Sequence, residues 1–113
     1  MTLLTADSIT YPCGIAVDAT GVYWADNEGG VAKVPLSGGA STTISQWCGV
    51  GATSVALDSS RVYWAQDSYI GSAPKDALDM KDTIISGNVF AVAVDSTAVY
   101  WTDGNSVMRH TPK

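Results

Sequence analysis

Three aspartates recur at matching places along this 113-residue chain, and carboxylates placed in that way could bind a metal ion. Asp18, Asp58 and Asp95 open the segments Asp-Ala-Thr-Gly, Asp-Ser-Ser-Arg and Asp-Ser-Thr-Ala. Aspartate at the first position of a tight turn accepts hydrogen bonds from the backbone that follows it. We interpret the three aspartates as turn residues, because small or turn-forming residues follow each of them.

A second group of polar residues lies in three short segments that we expect to be loops at one end of the fold. With two aromatic residues on neighbouring segments they form a candidate ligand-binding site: Tyr11, Asp26, Asn27, Trp47, Gln66, Asp67, Asp103 and Asn105. Ligand sites of repeat proteins commonly use loops on one side of the fold. Solvated turns are the alternative interpretation, because polar loop residues need no ligand.

The sequence offers little for catalysis. His110 is the only histidine, and no second histidine or cysteine cluster accompanies it. A general base or metal ligand needs such partners, so we predict an ordinary surface histidine. A Gly-Lys-Ser/Thr phosphate loop and a Gly-x-Ser-x-Gly nucleophile elbow are both absent from the sequence. We therefore predict no catalytic residue, no metal ligand and no cofactor.

The charge balance argues against two classes of partner. Six Lys and Arg residues against eleven Asp and Glu residues give a net charge of −5. Nucleic acids and anionic membrane surfaces both attract basic proteins. The longest apolar run, Val89 to Val94, is far shorter than the about 20 residues that span a bilayer. We predict neither nucleic-acid binding nor membrane insertion, and the N-terminus shows no signal-peptide pattern.

A repeated segment sets the spacing of these residues. It carries a Val-Tyr-Trp triplet in each copy and occurs at residues 15–26, 55–66 and 92–103. The tryptophans Trp24, Trp64 and Trp101 are 40 and 37 residues apart. Runs rich in β-branched and aromatic residues, separated by Gly, Asn, Asp and Ser clusters, predict an all-β fold with four strands per repeat. In the first two repeats, strands are predicted near residues 14–18, 22–26, 30–36, 42–47, 54–58, 61–65, 68–74 and 82–86.

The triplets also predict that both faces of each sheet are covered. Adjacent residues of a strand point to opposite faces, so the tyrosine and the tryptophan lie on different sides. In a β-propeller each sheet, or blade, lies between two others, which covers both sides. We predict that the aromatic pairs form the core between blades: Tyr23, Trp24, Tyr63, Trp64, Tyr100 and Trp101.

The third triplet extends to a known motif. Tyr100-Trp-Thr-Asp103 resembles in full the YWTD repeat of low-density-lipoprotein-receptor class B propellers. Tyr23-Trp-Ala-Asp26 and Tyr63-Trp-Ala-Gln66 depart from it at one and two positions, and the Ala-Val-Asp and Val-Pro-Leu elements are similar to bacterial repeats between the YWTD and NHL types. The resemblance implies a six-bladed propeller. It also implies an extracytoplasmic or secreted protein, because such relatives are largely secreted or on the cell surface.

The chain contains three blades' worth of strands, which is half of a six-bladed ring. Aligning the repeats predicts an orphan outer strand, two complete blades and three strands of a third blade, at residues 1–10, 14–47, 54–86 and 90–113. Three blades cannot close a ring, so we predict a two-fold homodimer of six blades. Thr2 to Thr5 of each chain should pair beside the strand Ser106 to Pro112 of the other and cover its open edge.

The preferred functional hypothesis is a non-enzymatic scaffold that binds a protein, peptide or carbohydrate through its loop end. Six-bladed propellers also include calcium-dependent lactonases, which place acidic and amide ligands at the central channel. The innermost strands predicted here contain no acid, amide or histidine before the turn aspartate, whereas calcium takes six to eight oxygens. A calcium-dependent hydrolase, or a half-propeller fragment with no separate activity, are the alternatives.

The two cysteines allow two interpretations. Cys13 and Cys48 are an even count in a chain whose resemblance points to secreted relatives. Both precede an innermost strand, on segments that should emerge at the same end of adjacent blades. A disulfide between them and a pair of buried thiols both stay open.

Overall fold

Antiparallel strands make up the regular structure of this chain. The computed structural model describes residues 12–26, 30–45, 53–66, 69–75 and 82–113. The strands within these ranges are β1 (Pro12–Asp18), β2 (Gly21–Asp26), β3 (Gly30–Val34), β4 (Thr42–Ser45), β5 (Ser54–Leu57), β6 (Arg61–Gln66), β7 (Tyr69–Pro74), β8 (Asp82–Ser86), β9 (Ala91–Val94), β10 (Val99–Thr102) and β11 (Val107–His110). The all-β prediction is confirmed.

The strands form three sheets in chain order, and every strand pairs with the next one along its sheet. We call the sheet β1-β2-β3-β4 blade 1, the sheet β5-β6-β7-β8 blade 2 and the sheet β9-β10-β11 blade 3. The Val-Tyr-Trp triplet lies on the second strand of each blade, paired on both sides. This position suits β-branched and aromatic side chains, which pack well on a pleated surface.

The turn between the first two strands of blade 1 requires a glycine. Gly21 has a φ of +151°, and a Cβ added there would lie 2.6 Å from the carbonyl oxygen of Val34. The third strand therefore runs close against the turn. β3 ends at Val34, two residues earlier than predicted from the sequence, because Pro35 has no N–H to continue the ladder. Leu36 lies in the turn that follows, which is closed by a 2.8 Å hydrogen bond from Gly38 N to Pro35 O.

The first strands of the three blades lie side by side. β5 contacts β1 on one side and β9 on the other. A Cβ on Gly14 would come within 3.0 Å of the Cα of Ser54, and Val92 N donates a 3.2 Å hydrogen bond to Ser54 Oγ. The blades are therefore arranged around a common axis with their first strands innermost.

Each pair of neighbouring blades encloses an apolar cluster. We call the side of a blade that carries its triplet tyrosine the tyrosine face, and the opposite side the tryptophan face. The tyrosine face of blade 1 packs on the tryptophan face of blade 2, through Tyr23, Ala25, Val31, Ile44, Val55, Val62, Trp64 and Ala73. The same faces of blades 2 and 3 meet through Tyr63, Ala65, Ile70, Val92, Val99 and Trp101, joined by Val89. The chain thus uses one mode of packing twice.

The indole of Trp64 lies directly over a glycine of its own sheet. Trp64 pairs with Gly71 of β7 and is 1% exposed. A Cβ added at Gly71 would overlap the indole ring, so the tryptophan occupies the space that a larger residue would need. Its Nε1 donates a 3.0 Å hydrogen bond to Gln66 Oε1. Both the stacking and the hydrogen bond hold the ring in place between blades 1 and 2.

The outer strand predicted for residues 1–10, including the segment Thr2 to Thr5, lies outside the described residues. Within the described ranges, no helix has the length and apolar character needed to cross a membrane.

Substituting Gly71 with alanine should destabilise the fold through Trp64. We expect Gly71→Ala to lower the free energy of unfolding by about 1–3 kcal/mol, since the added methyl group overpacks the site. Urea unfolding followed by near-UV circular dichroism measures both the stability and the tryptophan environment. Thr83→Ala, on the exposed residue paired with Gly71, is the control and should change stability by less than about 0.5 kcal/mol. Equal stability of the G71A protein and the wild type would contradict the packing described here.

Candidate functional site

The three blades share two ends, which carry different sets of polar residues. We call the end that carries Asp18, Asp58 and Asp95 the turn end, because the turns between the first and second strands lie there. The opposite end, which we call the loop end, carries the connections that follow β2, β6 and β10. The candidate ligand-binding residues that the sequence predicts belong to the loop end.

The turn carboxylates accept the backbone hydrogen bonds expected from the sequence. Asp18 Oδ1 accepts from the N–H of Thr20 at 2.8 Å. Asp58 Oδ1 accepts from the N–H groups of Ser60 at 2.9 Å and Arg61 at 2.8 Å. Asp95 Oδ1 accepts in the same way from Thr97 at 2.8 Å and Ala98 at 2.9 Å. In each turn, Oδ1 is the oxygen that fixes the backbone.

The second oxygen of two turn carboxylates binds a tyrosine of the same blade. Tyr63 donates its hydroxyl proton to Asp58 Oδ2 at 2.6 Å, and Tyr100 donates to Asp95 Oδ2 at 2.8 Å. In blade 1, the hydroxyl of Tyr23 lies 2.7 Å from Thr20 Oγ1, which itself donates to the turn aspartate. The triplet tyrosine therefore has a polar role beside its apolar one. Its constant distance of five residues from the aspartate in each repeat is the signal that could have revealed this role.

A lysine of the next blade completes two of these arrangements. Lys75 of blade 2 forms an ion pair with Asp18 of blade 1. Lys113, which follows β11 of blade 3, lies with its Nζ 2.8 Å from Asp58 Oδ2 of blade 2. The two ammonium groups also lie 5.8 Å and 6.0 Å from the ring centres of Tyr23 and Tyr63, within reach of a cation–π interaction. We call the unit of turn aspartate, triplet tyrosine and next-blade lysine a lysine clamp.

The clamps keep their carboxylates ionised. Burial raises the pKa of Asp18, but the hydrogen bonds from Lys75 and from the turn lower it by more, so that it falls to about 2. Burial likewise raises the pKa of Asp58, but the hydrogen bonds from Lys113 and Tyr63 lower it by more and hold it well below the usual range. Burial and the bond to Asp58 raise the pKa of Tyr63 above its usual range. Near neutral pH both aspartates are therefore carboxylates, and Tyr63 keeps its hydroxyl proton.

At the loop end, two of the predicted ligand residues are buried. Asp26 is 3% exposed and Gln66 is 1% exposed. Gln66 accepts the hydrogen bond of the Trp64 indole, so it stabilises the core between blades. Sequence reasoning missed this role, although a residue two positions after a buried tryptophan lies on the same face of the strand. Tyr11, Asn27, Trp47 and Asp67 lie outside the described residues.

The other two predicted residues, Asp103 and Asn105, line a groove at the loop end. The groove has a volume of about 350 Å³, and its other walls are Ser86, Gly87, Asn88, Trp101 and Met108. Asp103 Oδ1 accepts hydrogen bonds from the N–H groups of Asn105 at 3.1 Å and Ser106 at 2.8 Å, which lower the pKa of the carboxyl group. Hydroxyl, amide and carboxylate groups beside an indole can bind a polar ligand by hydrogen bonds. Such binding stays a prediction for these residues.

The described residues contain no group of three or more His, Cys, Asp and Glu side chains that could hold a metal ion. His110 ends β11 and is partly exposed. Cys13 is exposed on β1, whereas Cys48 lies outside the described ranges. Both interpretations of the two cysteines, a disulfide and a pair of buried thiols, therefore stay predictions.

Comparison with known proteins shows the fold. The chain is similar to a chain of the nidogen/laminin complex, with a TM-score of 0.83 and 19% identity over 96% of this chain and 46% of that chain. It is also similar to the WD40 β-propeller domain of Doa1, with a TM-score of 0.78 and 16% identity over 96% and 40% of the two chains. The computationally designed protein Ika4 gives a TM-score of 0.71 and 12% identity over 90% and 66%. The fold is a β-propeller.

The chain spans less than half of the nidogen/laminin and Doa1 chains and about two thirds of Ika4. No protein-family model matches the chain, and no curated protein matches it. The resemblance to YWTD repeats therefore stays with the motifs of the sequence.

The lysine clamps predict a specific loss of stability in acid. A carboxylate whose pKa is lower in the folded than in the unfolded chain stabilises the fold above the unfolded pKa of about 4, and this contribution is lost as the pH falls through the folded pKa. Asp58→Asn keeps the turn hydrogen bonds and removes the charge that faces Lys113. We expect a loss of about 1–3 kcal/mol at pH 7, because the largely covered side chain of Lys113 loses its charged partner. The difference from the wild type should shrink as the pH falls from 5 to 2.

Asp95→Asn is the matched control, since Asp95 has the same turn and tyrosine bonds and is itself exposed. Urea unfolding at pH 7, 5 and 3 gives the free energy of unfolding of the D58N and D95N proteins. A D95N protein that loses as much stability as the D58N protein would show that the lysine clamp contributes nothing.

Proposed function

We propose that this chain is a non-enzymatic propeller subunit that closes a six-bladed ring with a second copy of itself and binds a partner molecule at its loop end. Ring closure is supported by the contrast in exposure between residues at equivalent positions of the repeats. Binding of a partner molecule is supported by the polar groove at the loop end.

On the tryptophan face of blade 1, Trp24 is buried at 6% exposure, but the first-strand residues are exposed where those of the other blades are covered. Ile15, Val55 and Val92 pair with the triplet tryptophans of their blades and occupy the same repeat position. Val55 and Val92 are each 8% exposed, but Ile15 is 72% exposed. Val17, two residues along the same strand, is 63% exposed. Apolar residues at these positions are buried only when another blade packs on them.

The tyrosine face of blade 3 shows the complementary pattern. Val31, Ile70 and Val107 are equivalent, since each pairs with the residue that follows the triplet tryptophan of its blade. Val31 and Ile70 are fully buried, whereas Val107 is 77% exposed. The two open faces are thus a tyrosine face and a tryptophan face, the combination that packs twice within the chain.

A second copy supplies both missing faces at once. In a two-fold ring the tyrosine face of each blade 3 meets the tryptophan face of the other blade 1, and the same contact occurs twice. Exposed apolar patches of this kind mark interaction surfaces. Two arcs of three blades give six, the number that the resemblance to YWTD repeats implies and one within the usual range for propellers.

The loop end is where we place ligand binding. The groove lined by Asp103, Asn105, Ser86 and Asn88 offers donors and acceptors for a peptide or carbohydrate. The net charge of −5 favours neutral or basic ligands over nucleic acid and anionic membranes. An extracytoplasmic location, implied by the resemblance, would suit such a role. Innermost strands without acid, amide or histidine before the turn aspartates support a protein without a catalytic channel.

Ring closure predicts a dimer in solution. Light scattering of the 113-residue protein at micromolar concentration should give twice the chain mass of 11.8 kDa. Ile15→Asp should shift the mass toward that of the monomer or cause aggregation, because the new charge would be buried in the ring without a partner. Ser59→Asp, in an exposed turn of the middle blade, is the control and should leave the dimer intact. A folded monomer of wild-type protein would contradict ring closure, and a trimer would contradict six blades.

A binding scaffold should be stabilised by its ligand without converting it. Thermal unfolding in the presence of carbohydrate, peptide and calcium panels should reveal ligands that raise the melting temperature, as binding to the folded state does. The same protein should show no turnover of lactones or esters, with or without millimolar calcium. Calcium-dependent hydrolysis would contradict the non-enzymatic assignment and favour the lactonase alternative.

A further inference from the structure

Each junction within the chain carries a lysine shortly after the third strand of the following blade, and blade 1 has none there. Lys75 lies two residues after Ala73, which pairs with Val62, and Lys113 lies three residues after His110, which pairs with Val99. Blade 1 has a proline at this point, Pro35, followed by Leu36 and Ser37. The blade that would face a second copy therefore offers no cation to the turn aspartate opposite.

The aspartate and tyrosine of blade 3 are nevertheless arranged as in a lysine clamp. Tyr100 donates to Asp95 Oδ2 at 2.8 Å, and Tyr63 donates to the turn aspartate of blade 2 at 2.6 Å. In the described part of the chain, the two ion pairs of lysine with turn aspartates involve Asp18 and Asp58. Asp95 lies on the tyrosine face of blade 3, and no other blade of the described residues packs on that face.

We propose that the junction between copies sets Leu36 of the partner subunit over the ring of Tyr100, close to Asp95. This inference rests on the ring proposed above and specifies which residues meet in it. The place is the one where the lysines lie 5.8 Å and 6.0 Å from the rings of Tyr23 and Tyr63 in the internal junctions. Leu36 is 51% exposed in the single chain, so its apolar side chain is accessible for such a contact. The junction between subunits is apolar where the internal junctions are ionic.

A second residue of blade 3 supports the same alignment of the two copies. Lys33 pairs with Tyr23 across blade 1, and its Nζ donates a 2.5 Å hydrogen bond to the carbonyl oxygen of Lys75 in the next blade. Arg109 pairs with Tyr100 in the same way in blade 3. In the ring, the equivalent acceptor is the main-chain carbonyl of Leu36 of the partner subunit. Arg109 can thus make across the junction the bond that Lys33 makes within the chain.

The proposal predicts that one substitution converts the apolar junction into a lysine clamp. Leu36→Lys should raise the melting temperature above that of Leu36→Met, which has a similar unbranched stem without charge. At fixed protein concentration and low salt we expect a difference of about 3 °C or more, since each ring gains two ion pairs. The gain should be lost in the background Asp95→Asn and should decrease in about 1 M salt, where charges are screened.

The outcomes separate this inference from ring closure itself. A dimer in which L36K stabilises only when Asp95 is present supports the contact. A dimer in which the effect of L36K is absent, or is the same with and without Asp95, overturns the contact but leaves the ring standing. A monomeric wild-type protein in light scattering overturns both.

Discussion

The alternation of tyrosine and tryptophan on the second strand of each blade is the constraint on which the rest of the structure depends. Because neighbouring residues of a strand point to opposite faces, no single sheet of this chain can bury its own aromatic pair. Within the described residues, a neighbouring blade covers the tyrosines of blades 1 and 2 and the tryptophans of blades 2 and 3. The stacking of blades about an axis, the close approach of the inner strands at Gly14 and the open faces at the two outer blades all follow from this alternation.

The lysine clamps add direction to a packing that is otherwise apolar. The free energy of hydrophobic contact between blades is roughly proportional to the apolar area buried. It depends little on how one blade is oriented against the other. A carboxylate held by its own turn, which receives an ammonium group from the next blade and a hydroxyl group from its own, fixes the rotation of one blade against the other. The energy of one such pair is modest in water-exposed surroundings. Its value lies in the hydrogen bonds that leave the partly buried Asp58 with no unsatisfied oxygen.

The sequence predicts the strands well because period, turn chemistry and side-chain type agree in all three repeats. The turn role of Asp18, Asp58 and Asp95 is equally readable, since it depends on neighbours two and three residues away. The lysine clamp is not readable, because Lys75 and Asp18 are 57 residues apart and meet only through the packing of two blades. The burial of Gln66 could not be predicted for a related reason. A polar residue at the end of a strand is typical of a loop, and only the structure shows that Gln66 accepts the hydrogen bond of the Trp64 indole.

Differences between the repeats are informative because the shared positions are already explained by the fold. Where all three copies agree, as in the turn aspartate and the Tyr-Trp pair, the residue serves a contact that every blade makes. Where the copies differ, the blades differ in which neighbours pack on their two faces. Leu36 stands where blade 2 has Lys75, and it belongs to blade 1, whose tryptophan face packs on no other blade of the described residues. In the proposed ring, this face of blade 1 forms the junction between subunits, and Leu36 would contribute apolar contact there, where Lys75 and Lys113 contribute ion pairs within the chain. The divergence at this position therefore supports the proposed junction between subunits.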